Sequence, residues 1–269
     1  MTTTPAELTP QARSFESERI HASSRVLLLA TIGLAVNAVG FFMVTSAAGA
    51  WLGVVGSLLL VVAVVLHFDH LSFRVGRNAV VLVILGTVVS GIQTLSSALL
   101  GPGKGPSWLF GVAWVLGGVG IAAIAVHKEG QMKAMLAEYA SGAPWQAQVT
   151  VYASFLSLIT GATGVVLLGI GFSGPYFQPR MQILLIATAG VLAAIGVISH
   201  VEHLIPRIGL AAVIAGVVAP IIQAANLVHL AADPSSWDPN TFFGLIATSY
   251  LVGSLACLLA FLKKRSTDS

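Results

Sequence analysis

Charge is the scarcest commodity in this chain. Only 9% of its 269 residues are Asp, Glu, Lys or Arg, where a water-soluble domain carries about 25%. A surface that poor in charge is not built to face water throughout. Cysteine is nearly missing too. Cys257 stands alone in an apolar run, which excludes a disulfide framework and a cysteine-based metal site. No lysine falls in the middle of an apolar run, so a retinal Schiff base has no anchor. No acidic residue does either, which argues against proton- or sodium-coupled transport. A Walker-type loop, a GxGxxG opening a helix, a nucleophile elbow and an HExxH are all lacking. The formal net charge of +3 gives no reason to expect a nucleic-acid partner.

What fills the chain is apolar: 56% of residues are hydrophobic. They come in long uncharged runs, each long enough to cross roughly 30 Å of hydrocarbon as a helix. The runs do not alternate apolar with polar, so they are not barrel strands. Within lipid a helix satisfies its own backbone, and the expected fold is an all-α integral membrane protein. Eight spans are expected, at roughly 25–47, 51–70, 77–100, 107–127, 149–172, 180–203, 207–231 and 241–263. Trp51, Trp108, Trp145, Tyr176 and Trp237 fall near their ends, as interfacial aromatics do. Residues 1–24 form a polar amino-terminal segment, with Thr9-Pro10 a possible helix start and Phe15 and Ile20 able to rest on a bilayer. No cleavable signal peptide is expected there.

One stretch is written twice. His67-Phe-Asp-His-Leu-Ser-Phe-Arg-Val-Gly-Arg-Asn-Ala-Val80 returns as His200-Val-Glu-His-Leu-Ile-Pro-Arg-Ile-Gly-Leu-Ala-Ala-Val213. The two align without a gap as H-x-[DE]-H-L-x-x-R-[VI]-G. The chain therefore reads as a tandem 4+4 repeat: 25–127 and 149–263, joined by 128–148 and followed by a tail at 264–269. Four spans is an even number, so both halves insert the same way up. They should be related by a pseudo-two-fold axis along the membrane normal. Each motif is expected to end the second span of its half. In the connection, Met132, Met135, Leu136 and Tyr139 share a face, which predicts an interfacial helix on the inner leaflet.

Basic residues set the orientation. With the amino terminus inside, eleven of the thirteen lysines and arginines lie on the cytoplasmic side, and only Lys104 and Arg180 lie outside. Both termini are expected in the cytoplasm, in a prokaryotic cell membrane.

The motifs carry the candidate chemistry. His67 and His70 lie three apart, hence on one side of a helix, and His200 and His203 repeat the arrangement. Four imidazoles brought together by the two-fold axis could hold a metal ion between the halves, and imidazole suits Fe, Cu or Zn. Asp69 and Glu202 are placed as outer partners of the histidines or of Arg74 and Arg207. His127 ends the fourth span on the same side and could add a ligand. Gln93, Gln223, Asn226 and His229 are polar residues within spans, where interhelical hydrogen bonding is their default use.

Such a site implies redox or oxygenase-like chemistry on a lipophilic substrate. The pattern resembles, in kind only, the histidine clusters at the cytoplasmic ends of membrane desaturases and hydroxylases, whose longer histidine boxes are absent here. A b-type haem is the second expectation, with axial histidines from the two halves and Arg74 and Arg207 meeting the propionates. A transporter or channel with a histidine gate is a third. An accessory subunit of a larger membrane complex, or a homo-oligomer, whose histidines only finish helices, is the fourth.

Overall fold

Glycine, alanine and serine make the interior. The side chains of lowest exposure include Ala38, Ala63, Ala79, Ala187, Ala212 and Ala247, while leucine, isoleucine and valine crowd the outside. Among the described residues no large side chain is fully enclosed. That is inverted relative to a water-soluble bundle and is how helices pack in lipid, through small residues that let backbones approach. The computed structural model describes residues 23–101, 106, 108–142, 149–151, 153–173, 179–233, 235 and 238–268.

Ten helices and no strands occur among the described residues. They are α1 (Ser24–Phe42), α2 (Ala47–Val65), α3 (Phe68–Val75), α4 (Arg77–Leu100), α5 (Trp108–Ser141), α6 (Phe155–Phe172), α7 (Pro179–Ile198), α8 (Val201–Ile208), α9 (Leu210–Ala232) and α10 (Pro239–Asp268). Seven of them are long and apolar enough to cross a membrane. The apolar stretch of α6, Phe155–Gly171, falls just short of that length. Serines start three of the helices. The Ser23, Ser46 and Ser154 hydroxyls accept from the backbone N–H three residues on, at Val26, Gly49 and Ser157, which satisfies donors a helix start leaves open.

The eight long helices pack in a closed ring: α1–α2–α4–α5–α6–α7–α9–α10 and back to α1. Helices facing each other across the ring make no more than glancing approaches. The neighbour relations of the first four long helices recur in the last four, and the short α3 and α8 take matching places. Each lies against the helix that follows it and against the next one, α3 on α4 and α5, α8 on α9 and α10. Hydroxyls tie the seams, Ser157 donating to the Gly196 carbonyl at 2.7 Å, Ser249 to Ala219 at 2.7 Å and Ser254 to Thr31 at 2.8 Å.

Two expectations are corrected. The motifs do not end the second span of each half. α2 stops at Val65 and α7 at Ile198, ahead of the span ends placed at 70 and 203, and each motif builds a separate eight-residue helix. The cause is local. His67 and His200 sit at φ −117°, ψ 13° and φ −119°, ψ 6°, outside the helical well, so each breaks one helix and starts the next. Apolar residues at Val201, Leu204, Ile205 and Ile208 give α8 one greasy side, as an interfacial helix has. Nor is the connection a separate element. Residues 128–141 continue α5 without interruption to Ser141, making a rod of 34 residues, about 50 Å long. Nothing between Val126 and Tyr139 breaks a helix. Gly130 alone is tolerated, and the Lys133–Glu129 ion pair, one turn apart at 2.6 Å, spans it. The chain turns only at Gly142, where φ is +67°.

Trp51 and Trp108 stand exposed near helix starts, as expected. Trp145, Tyr176, Trp237, Thr9, Pro10, Phe15 and Ile20 lie outside the described residues.

Candidate functional site

Both short helices end on glycine in a conformation only glycine adopts freely. Gly76 has φ +91° and Gly209 has φ +87°, and each opens the next long helix. A side chain there is strained whatever the space. The two residue pairs that follow, Ala79–Val80 and Ala212–Val213, are among the most buried of the chain. The matched Gly, Ala and Val of the repeated motif are thus accounted for by backbone and packing. The matched histidines and arginines are not.

Within each motif the imidazoles stand together. The rings of His67 and His70 have centroids 4.7 Å apart and planes tilted by 44°. Those of His200 and His203 are 5.1 Å apart and tilted by 48°. His200 is buried, His67 and His70 are half-buried and His203 is exposed. His67 Nε2 and His200 Nδ1 are buried without a hydrogen-bond partner among the described residues, and so is Ser72 Oγ. A buried polar atom left unmatched costs about 1–3 kcal/mol, so each pair has a ring nitrogen that calls for water, an ion or a ligand.

The spacing of each pair fits chelation of one ion. A metal about 2 Å from a ring nitrogen lies about 3 Å from that ring's centroid. Two such rings at a near-tetrahedral angle have centroids about 5 Å apart. The same spacing is ordinary for aromatic packing, so the distances permit a metal without requiring one. They do exclude a haem held within one pair. Rings on opposite faces of a macrocycle need centroids at least roughly 6 Å apart, since each adds a metal–nitrogen bond of about 2 Å and half its own width.

Among the described residues, no group of three or more His, Cys, Asp or Glu is placed to hold a metal ion. The histidines form two pairs, one per half, rather than one four-imidazole cluster. Asp69 and Glu202 lie in the first turns of α3 and α8 and are exposed. Arg74 and Arg207, in the last turns, are half-buried.

His127 does something the sequence did not disclose. A Cβ built on Gly76 would stand 3.0 Å from His127 Cγ, so the glycine is the seat of this ring. Gln131, one turn on, completes a chain of hydrogen bonds. The Thr150 N–H donates to Gln131 Oε1 at 3.0 Å, which fixes the amide's orientation. Gln131 Nε2 then donates to Thr150 Oγ1 at 2.7 Å and to His127 Nε2 at 3.0 Å. Thr150 passes its own proton to the Arg74 carbonyl at 2.7 Å. The His127 ring therefore accepts at Nε2 and carries its proton on Nδ1. Thr150 begins the second half, so the chain of bonds fastens α3 of the first half to it. The signal was the i, i+4 spacing of His127 and Gln131, which share a helix side. Replacing Gln131 with Leu should destabilise the fold by roughly 1–3 kcal/mol, read as a lower melting temperature in detergent.

In the second half Lys263 takes the corresponding place, with its Cδ 3.4 Å from a Cβ built on Gly209. Lys128 reaches the other way. Its Nζ donates to the Ala153 carbonyl at 2.5 Å and stands 5.3 Å from the Phe155 ring centroid, and it is one of the positive neighbours of His200.

Burial holds His70 below the ordinary imidazole value of 6.5, helped by the neighbouring His67 and Arg74. His200 is lowered by burial first, then by His203, Arg207 and Lys128. His70 and His200, one ring of each pair, thus favour the neutral form, which is the form that binds metals. The folded state binds fewer protons than the unfolded chain in this window, so stability is full above about pH 6.5 and declines as the pH falls through and below it. Melting temperatures of metal-free protein should be flat above pH 7 and drop between pH 6.5 and 5. Alanine at His70 and His200 together should remove most of that slope.

The intramembrane polar residues separate. Gln93 Nε2 donates to Ser97 Oγ at a long 3.4 Å. Asn226 is half-buried with its Nδ2 unmatched, while His229, near the end of the same helix, is exposed. Cys257 is a free thiol within α10. Comparison with protein-family models, with curated proteins and with solved structures finds no match.

Proposed function

We propose that this chain is an eight-span integral membrane protein made of two four-span repeats about a pseudo-two-fold axis along the membrane normal. Its termini face the cytoplasm. Each repeat binds one transition-metal ion between its paired imidazoles, for redox or oxygenase-like chemistry on a lipophilic substrate. The seven long apolar helices support the membrane placement. α6, at 18 residues, is within the range of about 17–25 that spans hydrocarbon and supplies the eighth span. The matched ring order and the matched backbone angles at His67 and His200 and at Gly76 and Gly209 support the repeat.

The observation that carries the metal reading is the recurrence, in both halves, of a tilted imidazole pair whose first histidine keeps a buried, unmatched ring nitrogen. Two imidazoles leave coordination positions open, and an open position is what metal-assisted chemistry needs. Iron, copper and zinc all accept imidazole. A haem would need an imidazole from each pair. The absence of charge within the spans weighs against a conduit for ions.

One observation favours a plainer reading. His67 and His200 occupy the position before a helix start, where they end one helix and begin another with no ion needed. Elemental analysis separates the two. Wild-type protein purified without chelators is expected to carry iron, copper or zinc, and the variant with all four motif histidines replaced by alanine to carry none while remaining monodisperse. Equal metal in both, or none in either after reconstitution, leaves the plain helix-breaking role.

A further inference from the structure

Among the described residues no helix lies at the centre of the ring. Eight helices with neighbouring axes about 8–10 Å apart close into an octagon about 20–26 Å across its axes. Helices are about 10–12 Å thick with their side chains, so an open ring leaves a space roughly 10 Å wide. A flattened ring would bring opposite helices into contact, and the opposite helices here make only glancing approaches.

The residues turned to this space are identified by what stands on the other side of each helix. On α4 the exposed stripe is Val81, Leu85, Val88, Ile92, Leu95 and Leu99. α2 flanks α4 through Gly91 and Ser57, and α5 flanks it through Gly86 and Ala113. Opposite the exposed stripe run Thr87, Ser90, Thr94 and Ser97, all half-buried. On α5, Trp114, Ile121 and Lys128 lie opposite exposed Val112, Val119 and Val126. On α9, Gly216 and Gln223 lie opposite exposed Ile214, Val218 and Ile221. A Cβ built on Gly216 would meet nothing within 4 Å.

We infer that the ring encloses a lumen that takes the hydrocarbon tail of a single-chain amphiphile with an anionic head. The inward positions on α4, α5 and α9 carry no charge until Lys128. The α4 hydroxyls do not make the wall strongly polar, because Thr87 and Thr94 donate back to the carbonyls of Val83 and Gly91 at 2.8 and 2.9 Å, and the Thr94 methyl turns toward Gly53 of α2. An ion would lose its hydration there with nothing to replace it. A chain fits, and the head belongs at the end where Lys128 closes the α5 inner stripe beside the His200 pair. The inference rests on the eight-span reading and is independent of metal binding.

The test uses single cysteines in a Cys257→Ala background: Ser90→Cys for the lumen and Ile92→Cys for the lipid side. Protein in liposomes is treated with a charged methanethiosulfonate or with a lipophilic maleimide. At Ser90→Cys the lipophilic reagent is expected to react and the charged one not. Oleate is expected to slow the reaction at least tenfold, with acetate at the same concentration having no effect. Ready modification of Ser90→Cys by the charged reagent means a water-filled conduit and overturns the inference. Silence toward both reagents means a closed centre and overturns it too, as does reaction with no protection by oleate. Fast modification of Ile92→Cys by the charged reagent would instead refute the eight-span reading.

Discussion

Replacing His67 and His70 together by alanine is expected to halve the bound metal, and replacing His200 and His203 to halve it likewise. The reason is the separateness of the pairs. Each has its own short helix, its own ring spacing of 4.7 or 5.1 Å and its own glycine stop. α3 packs mainly on α4 and α5 and α8 mainly on α9 and α10, each in its own half. Losing one pair therefore leaves the other with its ligands and its backbone. A shared four-imidazole centre would behave differently, since removing either pair would strip two of four ligands and empty the site. The pairs also differ in exposure, with His200 buried and His203 exposed. The second site should therefore release its ion to a chelator at a different rate from the first. Metal content per chain across wild type, the two double variants and the quadruple variant is expected to run two, one, one and zero. A fall from full occupancy to nothing in either double variant would contradict separate sites.

A large loss of stability is expected from Gly169→Val. Gly169 on α6 meets Gly111 on α5 at one of the two seams between the halves. A Cβ at Gly169 would stand 2.7 Å from the Gly111 carbonyl oxygen and 2.8 Å from the Val115 backbone nitrogen. Two of its three nearest neighbours are backbone atoms, which a rotamer change does not move. The helices must separate along their length, and every small-residue contact of that seam goes with them. Ala162 and Val166 against Gly118 are the nearest to be lost. The cost lies at or above the upper end of the range for overpacking, about 1–3 kcal/mol. Melting temperature and the monodisperse fraction in detergent measure it. Gly130→Val is the matched control, because that glycine has nothing within 4 Å. Equal behaviour of the two variants would mean that α5 and α6 are not held together as described.

Helix type and position were legible because each rests on a long-range average. Uncharged runs, small residues and the gapless motif are sums over many positions, and they identify the long apolar helices. The ends were not legible at the motifs. His67-Phe-Asp-His keeps the apolar run going by composition, but one residue with ψ near zero stops the helix. A single dihedral leaves no trace in an average. The connection misled for the opposite reason. Met132, Leu136 and Tyr139 do share an exposed side, yet sidedness does not say whether a helix continues from the one before it. Only the missing breaker between Val126 and Ser141 said that. Of the site, the i, i+3 pairing of the histidines was readable. The separation of the two pairs was not, since it depends on where α3 and α8 lie in the ring. The Thr150–Gln131–His127 chain joins residues up to 23 positions apart across a turn and shows only in three dimensions.

The central claim is one ion per histidine pair. Copper(II) titration followed by electron paramagnetic resonance tests it most directly, because the spectrum reports both the number of coppers bound and the nitrogens on each. Two coppers per chain, each coupled to two imidazole nitrogens and each lost with its own pair, is the predicted result. One copper with four nitrogens, or copper that persists after all four histidines are replaced, would contradict it.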